Sequence, residues 1–191
     1  MTIPRDWYQM PKIKGIKMSD ISVVGMGAMG AALAGALIGA GRKVTVWNRS
    51  PEKMVPLVAQ GAKGASDFRE ALRASSRIIV CLPDYEKTKE IFDHHEVLPV
   101  LKGRTVIQLS TASPNEAAIS EKWFNGHGAT YLDGAILCWP GNIGTPSGQI
   151  VVAGPQHIFD ECKADLAHMA GDLRYLGSNI RAPATLDLAF L

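Results

Sequence analysis

The 191 residues are 47% hydrophobic and 20% charged, close to the average for soluble globular proteins, which excludes a disordered segment and a fibrous repeat. The length allows one full domain and at most the start of another. Twenty Lys and Arg residues against 18 Asp and Glu give a net charge of +2. Because the charges form no block of one sign, the chain lacks the footprint of a nucleic-acid-binding protein. We therefore expect a small molecule or another protein as its partner.

The amino-terminal segment and the cysteines indicate where the protein works. Residues 1–19 show no clean periodicity and carry proline and lysine, which predicts a flexible arm or an expression remnant without a secretory signal. The run Ala28–Gly41 is too short and too glycine-rich for a bilayer span, which needs about 20 apolar residues. Three widely spaced cysteines fit neither a disulfide framework nor a metal knuckle: Cys81, Cys138 and Cys162. We predict a cytoplasmic protein with reduced thiols, no metal site and no membrane partner.

From Ile21 onward, short apolar runs alternate with helical segments. Runs without polar alternation are typical of strands covered on both faces, and alternating β and α segments predict a parallel sheet. The predicted strands are Ile21–Val24, Val44–Trp47, Arg77–Leu82, Thr105–Leu109, Thr130–Ile136 and Gln149–Ala153. The expected fold class is α/β, a Rossmann-type, doubly wound, mostly parallel sheet over residues 20–179. Residues 180–191 are expected to begin an interdomain helix.

Serine–proline pairs mark two helix starts. Ser50 precedes Pro51, so that a hydroxyl N-cap stands before a proline at the first helical position. Ser113 precedes Pro114 and has Glu116 three positions later, which predicts a capping box. A further helix is predicted to open at Pro155 and to run through His168.

A G-x-G-x-x-G motif directly follows the first predicted strand and opens the predicted helix Ala28–Ala40. This strand–turn–helix context is the one in which the motif binds a dinucleotide. The first glycine would make the tight turn, the second would let the backbone approach a pyrophosphate, and the third would let the helix pack closely. The alternative is a glycine-rich turn without a ligand. The predicted cofactor-binding residues here are Gly25, Gly27, Ala28, Met29 and Gly30.

The end of the second strand distinguishes the two nicotinamide cofactors. An acidic residue about 20 positions after the glycines would bind a ribose 2′-hydroxyl and repel a 2′-phosphate. Asn48, Arg49 and Ser50 stand there instead, with Lys53 close behind. These cationic and neutral donors suit a phosphate, so we predict NADP(H) rather than NAD(H). The alternative is that Arg49 is a solvated surface charge and Ser50 only a helix cap.

Four segments together resemble one enzyme family. They are residues 25–30 (GMGAMG), 47–53 (WNRSPEK), 131–136 (YLDGAI) and 143–146 (IGTP). In this order and spacing they are similar to the imine reductases and reductive aminases, a branch of the β-hydroxyacid dehydrogenase superfamily. The resemblance runs from about Ile21 to the last residue. It implies an NADPH-dependent oxidoreductase that reduces C=N bonds, with an imine or a carbonyl plus amine as substrate.

The resemblance also implies roles for individual residues. Asp187 stands where imine reductases carry their acidic proton donor, whereas hydroxyacid dehydrogenases carry a lysine in that region, and this chain has no lysine after Lys163. Without the family, Asp187 could equally be a surface or helix-capping carboxylate. Thr111 would lie near the nicotinamide as a second catalytic candidate, although the family often has Asn or Ser there. The remaining implied cofactor contacts are Leu82, Pro83, Ser110 and Thr111.

Two residues near the predicted sheet edge have structural alternatives. Asp133 is expected to satisfy loop amides with its carboxylate, and Trp139 is expected in the core or in a pocket wall. The family also implies a helical domain after the dinucleotide domain, and active sites shared between two subunits of a homodimer. Because the chain ends on an apolar tail, we expect that domain to be absent from this sequence. A β-hydroxyacid dehydrogenase-like enzyme and a non-catalytic NADP-binding module remain alternative functions.

Overall fold

One eight-stranded sheet organises the computed structural model, which describes residues 19–190. The strands are β1 Ile21–Val24, β2 Val44–Trp47, β3 Lys63–Gly64, β4 Arg77–Val80, β5 Thr105–Gln108, β6 Thr130–Ile136, β7 Gln149–Ala153 and β8 Asp172–Tyr175. The strand order is β3-β2-β1-β4-β5-β6-β7-β8, and every neighbouring pair is parallel except the antiparallel pair β6–β7. The chain runs outward from β1 in both directions, which is the doubly wound arrangement.

Helices cover both faces of the sheet, and each face has its own apolar core. The helices are α1 Ala28–Gly39, α2 Val55–Ala59, α3 Phe68–Ala74, α4 Tyr85–Phe92, α5 Leu98–Leu101, α6 Pro114–Gly126, α7 Gln156–Ala167 and α8 Ala182–Phe190. Alternate residues of one strand enter different cores: Ile79 packs with α1, α2 and α7, whereas Ile78 and Val80 pack with α3 to α6. The last helix, α8, packs on β6, β7 and α6.

The predicted fold class is confirmed, and the six predicted strands are all present. Two of them end earlier than predicted, because the chain leaves the sheet after Val80 and after Gln108. The sequence analysis did not predict the two edge strands, β3 and β8. β3 has only two residues, and β8 carries polar residues at an exposed edge, so neither has an apolar run. The predicted arm falls almost wholly on residues 1–18, which lie outside the described residues.

The two serine–proline helix starts differ in their caps. Ser113 and Glu116 form the predicted capping box, with the Glu116 carboxylate accepting from the Ser113 amide at 2.8 Å. The predicted hydroxyl cap at Ser50 is wrong. Ser50 precedes a 3₁₀ turn, Pro51–Met54, and its side chain makes no cap hydrogen bond. Its hydroxyl is therefore free to face a ligand.

Among the described residues, no helix combines the length and apolar character needed to cross a membrane.

Candidate functional site

The loop between β1 and α1 is shaped by two glycines that no other residue could replace without a clash. Gly25 adopts φ +95°, and a Cβ there would lie 2.2 Å from the Cys81 carbonyl oxygen. At Gly30, a Cβ would lie 1.8 Å from the Gly25 carbonyl oxygen. The first turn of α1 therefore packs directly onto the loop and onto the end of β4.

The amino terminus of α1 faces open space. Gly27 is the N-cap residue, its backbone is extended, and no side chain caps the helix. A Cβ at Gly27 would meet nothing within 4 Å. The first amides of a helix have no intrahelical acceptor, and they carry the positive end of its dipole. This end of α1 can therefore accept a diphosphate, for which the bare backbone leaves room.

The end of β2 supplies cationic and neutral donors beside that helix terminus. The Asn48 side chain is already occupied: its Oδ1 accepts from the Met26 amide at 2.9 Å, and its Nδ2 donates to the Ser50 carbonyl at 3.0 Å. Asn48 thus holds the glycine loop beside the β2 end. Arg49 and Lys53 are exposed, and within residues 19–190 neither has an ion-pair partner.

These elements enclose one groove at the carboxyl edge of the sheet, with a volume of about 450 Å³. We call it the carboxyl-edge groove. It gathers most of the residues predicted to bind the cofactor: Gly25, Gly27, Ala28, Met29, Gly30, Asn48, Arg49, Ser50, Lys53, Leu82 and Pro83. Three predicted site residues do not line it, namely Ser110, Thr111 and Asp187. The groove lies where open α/β sheets bind ligands, at the point where the strand order reverses.

The opposite side of the groove is formed by residues 82–84 and helix α4, and we call it the second wall. Several of its residues were missed from the sequence, although their helical spacing after a strand was a usable signal. Lys87 Nζ lies 2.6 Å from Glu90 Oε2, and this ion pair lowers the pKa of Glu90, with a smaller effect from Arg49. The groove-lining residues that were not predicted are Trp47, Cys81, Asp84, Lys87, Glu90 and Ile91.

Burial raises the pKa of the Cys81 thiol to about 11. At neutral pH the thiol is therefore protonated and a poor nucleophile. Cys81 forms part of the groove floor, where its carbonyl packs against Gly25. The described cysteines are all free thiols, as the sequence predicts.

Ser110 and Asp133 lie beneath the groove rather than in it. The Ser110 hydroxyl is buried and accepts a hydrogen bond from the Leu82 amide at 2.9 Å. The expectation that Asp133 satisfies loop amides is wrong, because its Oδ1 accepts from the hydroxyls of Tyr85 and Tyr131. Burial raises the pKa of Asp133 to about 7, and the two hydroxyl donors oppose that rise.

The remaining predicted residues lie on the surface of the same domain. Thr111 is exposed in the loop between β5 and α6. Asp187 is half-buried on α8, and burial raises its pKa above the ordinary value. Trp139 is neither in the core nor in a wall of the carboxyl-edge groove, because 82% of it is exposed in the loop after β6. The described residues contain no cluster of His, Cys, Asp and Glu able to hold a metal ion.

A doubly wound sheet with a glycine loop, an uncapped helix terminus and cations at the end of β2 defines a dinucleotide-binding domain of the Rossmann class. Comparison with known proteins identifies the family. Residues 20–177 match the model described as the NAD binding domain of 6-phosphogluconate dehydrogenase, and the chain belongs to this family.

Among its relatives, an NADPH-dependent reductive aminase from Aspergillus oryzae is 34% identical over 90% of this chain and 57% of its own. An imine reductase from Myxococcus stipitatus, solved in complex with NADP⁺, superposes with a TM-score of 0.87 at 34% identity, over 90% of this chain and 59% of its own. A 3-hydroxyisobutyrate dehydrogenase from Pseudomonas aeruginosa is 26% identical over 85% of this chain and 55% of its own.

The predicted resemblance to imine reductases and reductive aminases is therefore confirmed, and the predicted NADP(H) cofactor agrees with the names of two of these relatives. The chain spans between half and two thirds of the length of these three relatives.

Proposed function

We propose that the carboxyl-edge groove binds NADP(H) and that the protein is an oxidoreductase that reduces C=N bonds. The first turn of α1 would hold the pyrophosphate, and the second wall would cover the adenosine side. When bound, the cofactor supplies a hydride. The chain's own residues would orient it and exclude water from it.

The observation that carries the cofactor assignment is the charge at the end of β2. Arg49, Ser50 and Lys53 line the groove together, and no carboxylate stands at the end of this strand to bind a ribose 2′-hydroxyl. A guanidinium and an ammonium with a free hydroxyl between them suit a phosphate dianion.

For the reaction, we propose Asp187 as the acidic group. An iminium ion is cationic, so a carboxylate stabilises it by charge and can relay a proton to the nitrogen. The raised pKa of Asp187 keeps a proton available closer to neutral pH than an exposed aspartate would. Thr111, at the carboxyl end of β5, is the second proposed catalytic residue and would face the nicotinamide side.

The proposed substrate is an imine, or a carbonyl compound together with an amine. We further propose a cytoplasmic homodimer in which a second domain completes the substrate pocket, and that residues 180–191 begin the connecting helix. The support for this arrangement is the resemblance to the imine reductases and the placement of α8 against β6 and β7.

The cofactor assignment is tested by Arg49→Glu. Reversing this charge should weaken NADPH binding by about 100-fold, because a favourable contact with the 2′-phosphate becomes a repulsive one. NADH lacks that phosphate and should lose far less. Lys163→Glu, the same charge reversal at an exposed position of α7, is the matched control and should leave both affinities unchanged. Equal losses for NADPH and NADH in Arg49→Glu would contradict the assignment.

The reaction is tested by NADPH consumption with a cyclic imine and with a ketone plus an amine, in a protein that includes the proposed second domain. Asp187→Asn should lower turnover about 100-fold while leaving NADPH affinity intact, because Asp187 does not line the groove. Unchanged turnover would remove Asp187 from the mechanism. Oxidation of a 3-hydroxy acid would instead favour the dehydrogenase alternative, and tight NADPH binding without turnover on any of these substrates would favour a binding module.

A further inference from the structure

A buried polar cluster lies directly beneath the second wall, between α4 and strands β5 and β6. Its five side chains take no part in the proposed reaction, and each is at most 5% exposed. Buried polar groups are costly unless they are paired, so their arrangement is informative. We call them the wall cluster: Tyr85, Thr88, Gln108, Ser110 and Asp133.

The first link of the wall cluster joins α4 to β6. The hydroxyl of Tyr85, the first residue of α4, donates a hydrogen bond to Oδ1 of Asp133 on β6. Tyr131 donates to the same oxygen at 3.0 Å, but it lies on the same strand as Asp133. The Tyr131 hydroxyl also lies 3.4 Å from the Tyr85 hydroxyl. The direct bond from Tyr85 to Asp133 is therefore the closer of the two links between α4 and β6.

The second link joins the same end of α4 to β5. Gln108 Nε2 donates to the Thr88 hydroxyl at 2.9 Å. The Ser110 hydroxyl donates to Gln108 Oε1 at 3.3 Å and accepts the Leu82 amide at 2.9 Å. One continuous chain of hydrogen bonds thus runs from the backbone of the groove wall, through β5, to α4.

Both links attach the first turn of helix α4 to the sheet. Helix α4 has only eight residues, and a helix this short is not stable without tertiary contacts. Its first turn follows residues 82–84, which line the carboxyl-edge groove, and Lys87, Glu90 and Ile91 line the groove farther along the helix. A displacement of the first turn would therefore displace the whole wall.

We propose that the wall cluster fixes the second wall in its binding position, and that Tyr85, Asp133 and Ser110 are positioning residues for the cofactor. None of the three touches the groove's ligand space with its polar atom, because those atoms are engaged with one another or with the Leu82 amide. This inference rests on the proposed function of the groove as the NADP(H) site. It explains why Ser110, predicted as a cofactor contact, is buried beneath the groove, and why Asp133, predicted as structural, is bonded to Tyr85 of the second wall.

The test compares two Tyr→Phe variants. Each removes one hydroxyl that donates a hydrogen bond to Oδ1 of Asp133. Tyr85→Phe removes the direct bond from α4 to Asp133. Tyr131→Phe keeps that bond, loses a bond within β6 and the longer 3.4 Å contact with the Tyr85 hydroxyl, and serves as the matched control. We expect Tyr85→Phe to weaken binding of NADPH and of 2′,5′-ADP by about fivefold to tenfold, the effect of one lost hydrogen bond on the wall. Tyr131→Phe should lower the midpoint of thermal unfolding without changing either affinity.

A second readout needs no ligand. Hydrogen exchange of residues 82–92 should accelerate in Tyr85→Phe and in Ser110→Ala, while exchange in β6 stays slow. Ser110→Thr, which keeps the hydroxyl, should restore slow exchange and NADPH affinity.

The outcomes separate the two proposals. Failure of the wild-type chain to bind NADPH would overturn the proposed function and this inference with it. If the wild-type chain binds NADPH but both phenylalanine variants bind it equally well, or lose affinity equally, only the positioning role is overturned.

Discussion

Two buried aspartates lie near opposite ends of the strands of the same sheet. Their carboxylates are stabilised by different kinds of partner. Asp133, beneath the carboxyl-edge groove, is 1% exposed and accepts hydrogen bonds from two neutral tyrosine hydroxyls. Asp165, on α7 at the other edge, is equally buried but contacts two arginines. Arg42 Nε lies 2.8 Å from Asp165 Oδ1, at an angle that makes the contact an ion pair rather than a hydrogen bond.

The two carboxylates differ in whether their negative charge is compensated. The two arginines compensate the charge of Asp165 and tie α7 to the α1–β2 loop and to β4, far from the groove. The hydroxyls around Asp133 supply hydrogen bonds but no compensating charge, so burial still raises the pKa of its carboxyl to about 7. The end of the sheet near Asp165 is thus held by paired charges, whereas the end beneath the carboxyl-edge groove is held by hydrogen bonds from neutral hydroxyls.

The largest loss of stability is expected when Asp165 is replaced. Asp165→Leu should lower the free energy of unfolding by about 4 kcal/mol, because it leaves Arg77 without a counterion among the described residues and Arg42 with only Asp20, at 3.7 Å. Urea unfolding monitored by circular dichroism measures the loss. NADPH affinity at low temperature should stay unchanged, because this pair is at the opposite edge from the groove. Asp172→Asn, which cuts an exposed pair with Arg174, is the control and should not move the unfolding midpoint.

A loss in Asp165→Leu no larger than in the control would mean that water already screens the arginines, whose side chains are 29% and 32% exposed.

The sequence predicts the sheet well because each central strand is a short, mostly apolar segment, and the glycine spacing fixes the β1–α1 turn. It misses β3 and β8 because an edge strand is recognised by pairing, which has no local pattern. Likewise, the capping box at Ser113 is a local motif with its own partner in the sequence. The cap at Ser50 fails because Pro51 begins a 3₁₀ turn instead of an α-helix.

The residues of the candidate site likewise divide into those that a local motif predicts and those that depend on tertiary packing. The residues that line the groove from the β1–α1 loop and from the end of β2 follow from motif and spacing. The second wall was only partly predictable, because the contributions of Lys87, Glu90 and Ile91 depend on how α4 packs. The bond from Tyr85 to Asp133 could not be predicted, since the two residues are 48 positions apart in sequence, whereas Tyr131 is only two positions from Asp133 on the same strand.

The second prediction concerns how the ionisation of Asp133 makes the stability of the protein depend on pH. Its pKa rises from 3.8 in the unfolded chain to about 7 in the folded state, so the folded state binds the proton more tightly. The stability that this group contributes is therefore complete below about pH 4 and is lost as the pH rises through about 7. Asp133→Asn keeps the neutral shape and the Oδ1 acceptor but cannot ionise. Its free energy of unfolding should match that of the wild type near pH 4 and exceed it by about 4 kcal/mol near pH 8.

Urea unfolding at a series of pH values measures this difference directly, because the other carboxylates titrate alike in both proteins. A difference that does not change with pH would show that the two tyrosine hydroxyls compensate the charge of Asp133 as fully as the arginines compensate that of Asp165. The contrast between the two edges would then lie in geometry alone.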